Sequence, residues 1–258
     1  MNLPSHMHRY FLELAYMGTN YAGFQTQQNA NTVQQEVERA LRTYFRAEIS
    51  CTCSSRTDAG VHALCNYFHF DAEFALSADV SRQAVYHLNA LLPADIVVKK
   101  IIPVPEGLHA RFDAQWREYR YHISRQKDPF HRDRSYFYPY PLDIGRLQAA
   151  ATLLTGYEDF ESFSKRRSQV KHYRCTVHKS KWLEENGLLV YEVRANRFLR
   201  GMVKGLVGTM LRVGTGKTTL EEFREIIESR NQLRADFSVP AQGLFLVKVE
   251  YGIEELRF

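Results

Sequence analysis

No stretch of this sequence approaches the ~18 consecutive apolar residues that a membrane span needs, which predicts a soluble chain. Cysteine is scarce: Cys51, Cys53, Cys65 and Cys175 are too few in 258 residues for a disulfide scaffold, so a cytoplasmic protein is expected. The start lacks a basic segment followed by an apolar run, so no secretory signal is read, and residues 1–7 read as a tag or disordered start. The zinc-deaminase pair His-x-Glu and Pro-Cys-x-x-Cys is missing. Cys51 and Cys53 stand at strand alternation and read as core, and no triad is marked around Cys65. Neither metal nor thiol catalysis is therefore predicted. Gly214-Thr215-Gly216-Lys217-Thr218 resembles the end of a phosphate loop, but Leu211 stands where the first glycine belongs, and a helix precedes the segment where a strand is required. It reads as a helix end, with Thr219-x-x-Glu222 capping the next helix.

Apolar side chains are plentiful. They make up 45% of the sequence, with 15 Tyr and 16 Phe, enough buried surface to exclude disordered and fibrous classes. The net charge of +5 is unevenly placed. Residues 1–107 hold 8 basic and 10 acidic side chains, whereas residues 164–204 hold 11 and 3, a local excess of +8. Basic residues interleaved with aromatics fit a polyanionic partner, and equally a solvated basic face.

Strand and helix periods alternate along the chain. Tyr10, Leu12 and Leu14 alternate with Arg9, Phe11 and Glu13 over His8–Tyr16, and Val33, Val37, Leu41 and Tyr44 follow at helical spacing behind the cap signal Thr32-x-x-Gln35. Strands are predicted at Ile49–Cys53, Tyr67–Asp71, Ile96–Ile102, Arg117–Ser124, Cys175–Trp182, Leu188–Arg194 and Leu244–Tyr251. Further helices are predicted around Ala84–Leu92 and at Ile144–Leu154, Phe198–Val213 and Leu220–Ser229. Pro103 and Pro105 suggest a boundary, giving an N-terminal α/β half over 8–105 and a C-terminal half over 106–258. The fold class is α+β, two similar halves facing each other, with a cleft between them a favoured place for a site.

One loop stands out. Ser54-Ser55-Arg56-Thr57-Asp58-Ala59-Gly60-Val61-His62 sets a carboxylate between an arginine, a hydroxyl and a glycine, reading either as an Asp-containing turn or as a functional loop. Three more runs accompany it: Tyr16-x-Gly18-x-x-Tyr21-x-Gly23-Phe24-Gln25-x-Gln27; His109-Ala110-Arg111-Phe112 followed by Arg117-x-Tyr119-x-Tyr121; and Asn196-x-Phe198-Leu199-x-x-Met202-Val203-x-x-Leu206-Val207-Gly208. In their order and spacing, from about Arg9 to Tyr251, these four runs resemble the TruA family of tRNA pseudouridine synthases.

The resemblance implies two α/β halves with mainly antiparallel sheets around a central basic cleft, acting on tRNA as a homodimer without metal or cofactor. It implies isomerisation of uridine to pseudouridine in the anticodon stem-loop, at positions 38, 39 and 40. Asp58 falls on the family's essential aspartate, the nucleophile. Whether it first attacks base or ribose, or deprotonates the ribose, stays open. Each route needs Asp58 ionised, so a cationic neighbour is expected, and Lys204 lies where the family places it. Tyr119 matches the tyrosine that stacks on the target base or transfers a proton, and Arg56 matches the arginine that helps extract the nucleotide. Arg111 is expected among the substrate-binding residues, and Lys165, Arg166, Arg167 and Arg197 on the RNA backbone, with Lys171, Arg174, Arg194 and Arg200. Leu64-Cys65-Asn66 departs from the Gly-Gln pair common in the family, which bears on how the strand after Asp58 packs or which nucleotide is preferred. The same chemistry at another RNA position, or RNA binding without catalysis, is the alternative reading.

Overall fold

A computed structural model describes residues 7–166 and 170–253. In chain order its elements are β1 (His8–Tyr16), α1 (Val33–Phe45), β2 (Thr52–Cys53), β3 (His62–Ala72), α2 (Ala78–Leu91), β4 (Ile96–Val104), β5 (Trp116–Ser124), β6 (Tyr136–Phe137), α3 (Ile144–Leu153), β7 (Val177–Glu185), β8 (Leu188–Ala195), α4 (Met202–Gly214), α5 (Leu220–Glu228) and β9 (Leu244–Glu250). This is the predicted mixture of helices with mainly antiparallel strands. Among the described residues no helix is long and apolar enough to cross a membrane.

The chain forms two compact units, one running to Gln115 and taking back the residues from Leu246 on, the other comprising Trp116–Phe245. The boundary thus falls ten residues beyond the expected 105/106, and the second half is not continuous to 258. Pro103 ends nothing, because it lies in β4, an edge strand where a missing N–H costs no ladder bond. Beyond it the chain stays with the first unit, and the Gln115 amide donates to the Glu250 carbonyl at 2.7 Å.

In the first unit the strand order is β4-β1-β3-β9, with β2 on the edge of β3. Strand alternation puts Tyr10, Leu12, Leu14 and Tyr16 on one face of β1, where they are buried with Phe24, Phe68 and Phe70. Helix α1 buries Val33, Val37, Ala40 and Leu41 at helical spacing. The Thr32 hydroxyl caps it, accepting from the Gln35 amide, but the expected reciprocal bond is absent, because that hydroxyl instead donates to Gln35 Oε1 at 3.0 Å. The other face of β1 is amphipathic. Arg9 holds Asp71 opposite it on β3 through two 2.7 Å bonds, and Phe11 next along is fully buried.

In the second unit β5-β8-β7 form an antiparallel ladder, and β6 runs parallel to the end of β5. Helix α4 starts at Met202 rather than Phe198, since Gly201 adopts φ +73° and leaves Phe198 and Leu199 in the preceding loop. Helix α5 carries the full capping box between Thr219 and Glu222. Charge also holds the ladder. Glu192 on β8 is nearly buried, opposite Arg120 on β5 and Lys181 on β7, with Arg120 Nη2 at 2.7 Å and the Lys179 ammonium paired to its other oxygen.

Burial works against ionising Glu192, but the bonds from Lys179 and Arg120 outweigh it and hold its carboxyl below the usual range. A carboxyl depressed on folding stabilises the fold above the ordinary Glu pKa of about 4.3, and that contribution is lost as pH falls through the depressed value. Glu192→Gln should therefore cost about 2 kcal/mol at pH 7, less than a fully buried pair because Arg120 and Lys179 remain partly solvated. Urea unfolding across pH should show the gap from the parent shrinking below about pH 4. A gap independent of pH would mean the pair does not hold the ladder.

Candidate active site

Asp58 lies half-buried in the segment between β2 and β3, where only Thr52 and Cys53 of the predicted strand Ile49–Cys53 pair. A segment without a ladder must find partners elsewhere for its buried polar groups. Thr57, immediately before Asp58, is held on both sides: its carbonyl accepts from the Phe24 amide at 3.1 Å, and its hydroxyl bonds the Tyr16 phenol at 2.8 Å. A turn follows, the Val61 amide donating to the Asp58 carbonyl at 3.1 Å. The Gly18 and Gly23 run packs against this turn. A Cβ on Gly18 would sit 2.0 Å from the Val61 carbonyl oxygen, and Gly23, at φ +106°, would bring one within 3.1 Å of the Thr57 oxygen. The first and second sequence runs therefore meet at the backbone of residues 57–61.

Asn66 closes the arrangement, and the sequence reading missed its role. It is fully buried on β3; its Nδ2 donates to the Ser55 carbonyl at 3.0 Å and the Tyr16 phenol at 3.2 Å, while its Oδ1 accepts from Ser54 Oγ at 2.7 Å and the Tyr67 amide at 3.0 Å. One carboxamide thus ties both serines ahead of Arg56 to the tyrosine that holds Thr57. The available signal was an amide on the inward-facing alternation of a strand, a residue type depleted there unless its hydrogen bonds are met.

Two of the predicted cations lie on loops of the first unit. Arg56 and Arg111 are both exposed. Burial pushes the Cys53 thiol up, while Arg56, by charge and hydrogen bond, and Arg111, by charge, draw it part of the way back. Burial likewise lifts Cys65 and Cys175 to about 11, so these sulfurs stay protonated near neutral pH. Among the described residues no group of three or more His, Cys, Asp or Glu is placed to hold a metal ion.

The remaining candidates belong to the second unit. Tyr119 is half-buried on β5, its ring edge-on to Phe198 at 4.9 Å and 79°. Lys204 stands in the first turn of α4, partly exposed. The Lys165 amide donates to the Arg200 carbonyl at 2.8 Å, which sets exposed Lys165 and Arg200 side by side just ahead of that turn. Arg166 is exposed, Arg197 Nη1 lies 3.3 Å from His172 Nε2, and Arg167 falls outside the described residues. Arg194 bonds Glu118 at 2.6 Å and covers the Trp116 ring at 4.1 Å. Arg174 is paired with Glu158.

Residues 14–113 and 150–252 match the family model described as tRNA pseudouridine synthase. Proteins called tRNA pseudouridine synthase A are similar along nearly the whole chain. The one from Parabacteroides distasonis is 44% identical over 248 residues, 96% of this chain and 98% of its own. That of Azobacteroides pseudotrichonymphae is 42% identical over 245 residues, 95% of this chain and 97% of its own. That of Staphylococcus aureus strain RF122 is 36% identical over 250 residues, 96% of this chain and 92% of its own.

Asn66→Ala would strand the Ser55 carbonyl and the Tyr67 amide in a buried place, at about 1–3 kcal/mol for each unsatisfied group. Denaturant unfolding should show a loss of about 3 kcal/mol, and hydrogen exchange should rise in residues 54–61 more than in β1. Unchanged protection there would show that Asn66 does not hold the loop.

Proposed function

This chain belongs to the tRNA pseudouridine synthase family, and we propose that it isomerises uridine to pseudouridine in the anticodon stem-loop of tRNA, at positions 38, 39 and 40, with Asp58 as the reacting carboxylate. The observation that carries this reading is the Asp58 loop itself. An aspartate on an irregular segment, held in place by Asn66, Tyr16 and Phe24 and two residues after Arg56, is built for a task at its carboxylate. A fold has no need to fix a half-exposed acid in this way.

The reaction exchanges one bond for another within a single nucleotide. The bond from ribose C1′ to base N1 breaks, the base turns, and C1′ joins base C5; a proton leaves C5 and N1 gains one, so no atoms are added or lost. Asp58 serves as nucleophile, with Lys204 as the cation that pairs with it. Tyr119 stacks on the target base or moves the C5 proton. Taking the uridine out of its stack costs a few kcal/mol. Arg56 and Arg111 offset part of that by holding the extruded nucleotide and its phosphate. Lys165, Arg166, Arg167 and Arg197 grip the backbone without reading sequence. In this reading the enzyme works in the cytoplasm as a homodimer and takes neither metal nor cofactor.

Unmodified tRNA transcripts incubated with the parent protein should gain pseudouridine, mapped by chemical labelling and primer extension. Asp58→Asn should gain none while keeping the parent's melting temperature. Pseudouridine made by Asp58→Asn at the parental rate would end the assignment. Reversing the charge of Lys165 and Arg166 together should weaken tRNA binding and lower the slope of log Kd against log salt by about 1 to 2. A parental slope would remove both residues from the RNA surface.

A further inference from the structure

In the first unit a line of aromatic rings runs from the core to the surface. Phe11, fully buried, stacks on His69 at 6.3 Å and 24°; His69 meets His109 at 4.6 Å and 67°; His109 carries Phe112 at 4.3 Å and 34°. Phe112 ends the line 73% exposed. A single exposed apolar ring is ordinary on a protein surface. This one differs in being held rigid from beneath.

The loop is pinned at both ends of the column. His69 Nδ1 accepts from the Ala110 amide at 3.1 Å, and the Tyr251 phenol donates to the Ala110 carbonyl at 2.7 Å. His109 Nδ1 accepts from the amides of Arg111 and Phe112 at 3.0 and 3.3 Å, so the histidine that supports the ring also fixes its backbone. Burial, with the charges of Arg9 and His109 adding to it, pushes His69 down to about 4, so its accepting nitrogen stays unprotonated at neutral pH. Asp113, the nearest acid in the chain, is bound to the His109 amide at 2.6 Å.

The surroundings of the ring are cationic. The Arg111 guanidinium lies 5.7 Å from the Phe112 centroid, and His69, on which the column rests, pairs with Thr52 of β2, the strand that leads into Arg56 and the Asp58 loop. A flat exposed ring on a firm support beside a guanidinium suits an unpaired nucleobase, whose face stacks while its phosphate meets the cation. It suits a second copy of this chain less well, because a guanidinium gains more against phosphate than against a chain whose net charge is +5.

We propose that Phe112, carried on His109, is a stacking platform for an unpaired base of the tRNA adjoining the target uridine. This rests on the tRNA-modifying reading of the same site. Because the ring is preorganised, stacking on it costs little ordering entropy, and the gain goes to affinity.

The test uses the full-length protein and an unmodified tRNA transcript. Phe112→Ala and Phe112→Leu should each weaken binding about tenfold, the loss appearing in KM rather than kcat, while Phe112→Trp should bind as the parent does. Emission from the introduced tryptophan should be quenched by tRNA beyond the change seen in the parent. Full affinity in Phe112→Ala, or full rescue by leucine, would overturn the platform, since leucine restores apolar surface but no aromatic face. A fall in sedimentation mass on Phe112→Ala would also overturn it, assigning the ring to contact between copies. If the parent binds tRNA but makes no pseudouridine, the catalytic reading fails while the binding series still judges the platform.

Discussion

Residues 54–61 cross from one strand to the next without a ladder of their own, so most buried polar groups in them are satisfied from outside. That requirement governs the first unit around Asp58. It calls for an amide on the inward face of β3, met by Asn66, and for a phenol at the end of β1, met by Tyr16. It also calls for backbone close enough to leave no room for a side chain at Gly18. These partners come from three separate stretches, and each is placed by an element whose apolar face is buried in the same core. The carboxylate is only as well positioned as that core is ordered.

The cations divide by what surrounds them. Arg9, Arg120 and Arg194 each lie against a carboxylate on a neighbouring strand, and their charge is used in holding sheets together. Arg56, Arg111, Lys165 and Arg166 are exposed on loops, outside the sheet ladders. The local excess of +8 in residues 164–204 is therefore not a uniform surface. Lys179, Lys181 and Arg194 pair with acids within the sheet, and Lys165 and Arg200, near the start of α4, are exposed.

Locally encoded features were legible in the residues alone. The period of two over His8–Tyr16 matches β1 at both ends, and Thr32 and Thr219 each cap the helix they precede. Pro103 misled because proline removes a donor only where a donor is needed, and strand order decides that. The helix expected from Phe198 starts at Met202 because hydrophobic spacing does not reveal the left-handed turn at Gly201. Asn66 drew notice only as a departure from a resemblance, since nothing in its neighbours says which carbonyls it will meet.

Periodicity, capping and the run through Arg56, Thr57 and Asp58 determined by themselves the mixed α+β class, most element positions and the family. Those signals are short-ranged, or are carried by motifs in one dimension. Only the tertiary structure decided that Asn66 clamps the Asp58 loop, that Arg194 is bound to Glu118 while Arg111 faces solvent, and that Phe112 ends a column rooted at Phe11. Each of these joins residues tens of positions apart or depends on which face of a strand is covered. Hydrogen bonding, desolvation and ring stacking act over a few ångströms of space, a distance that separation along the chain does not encode.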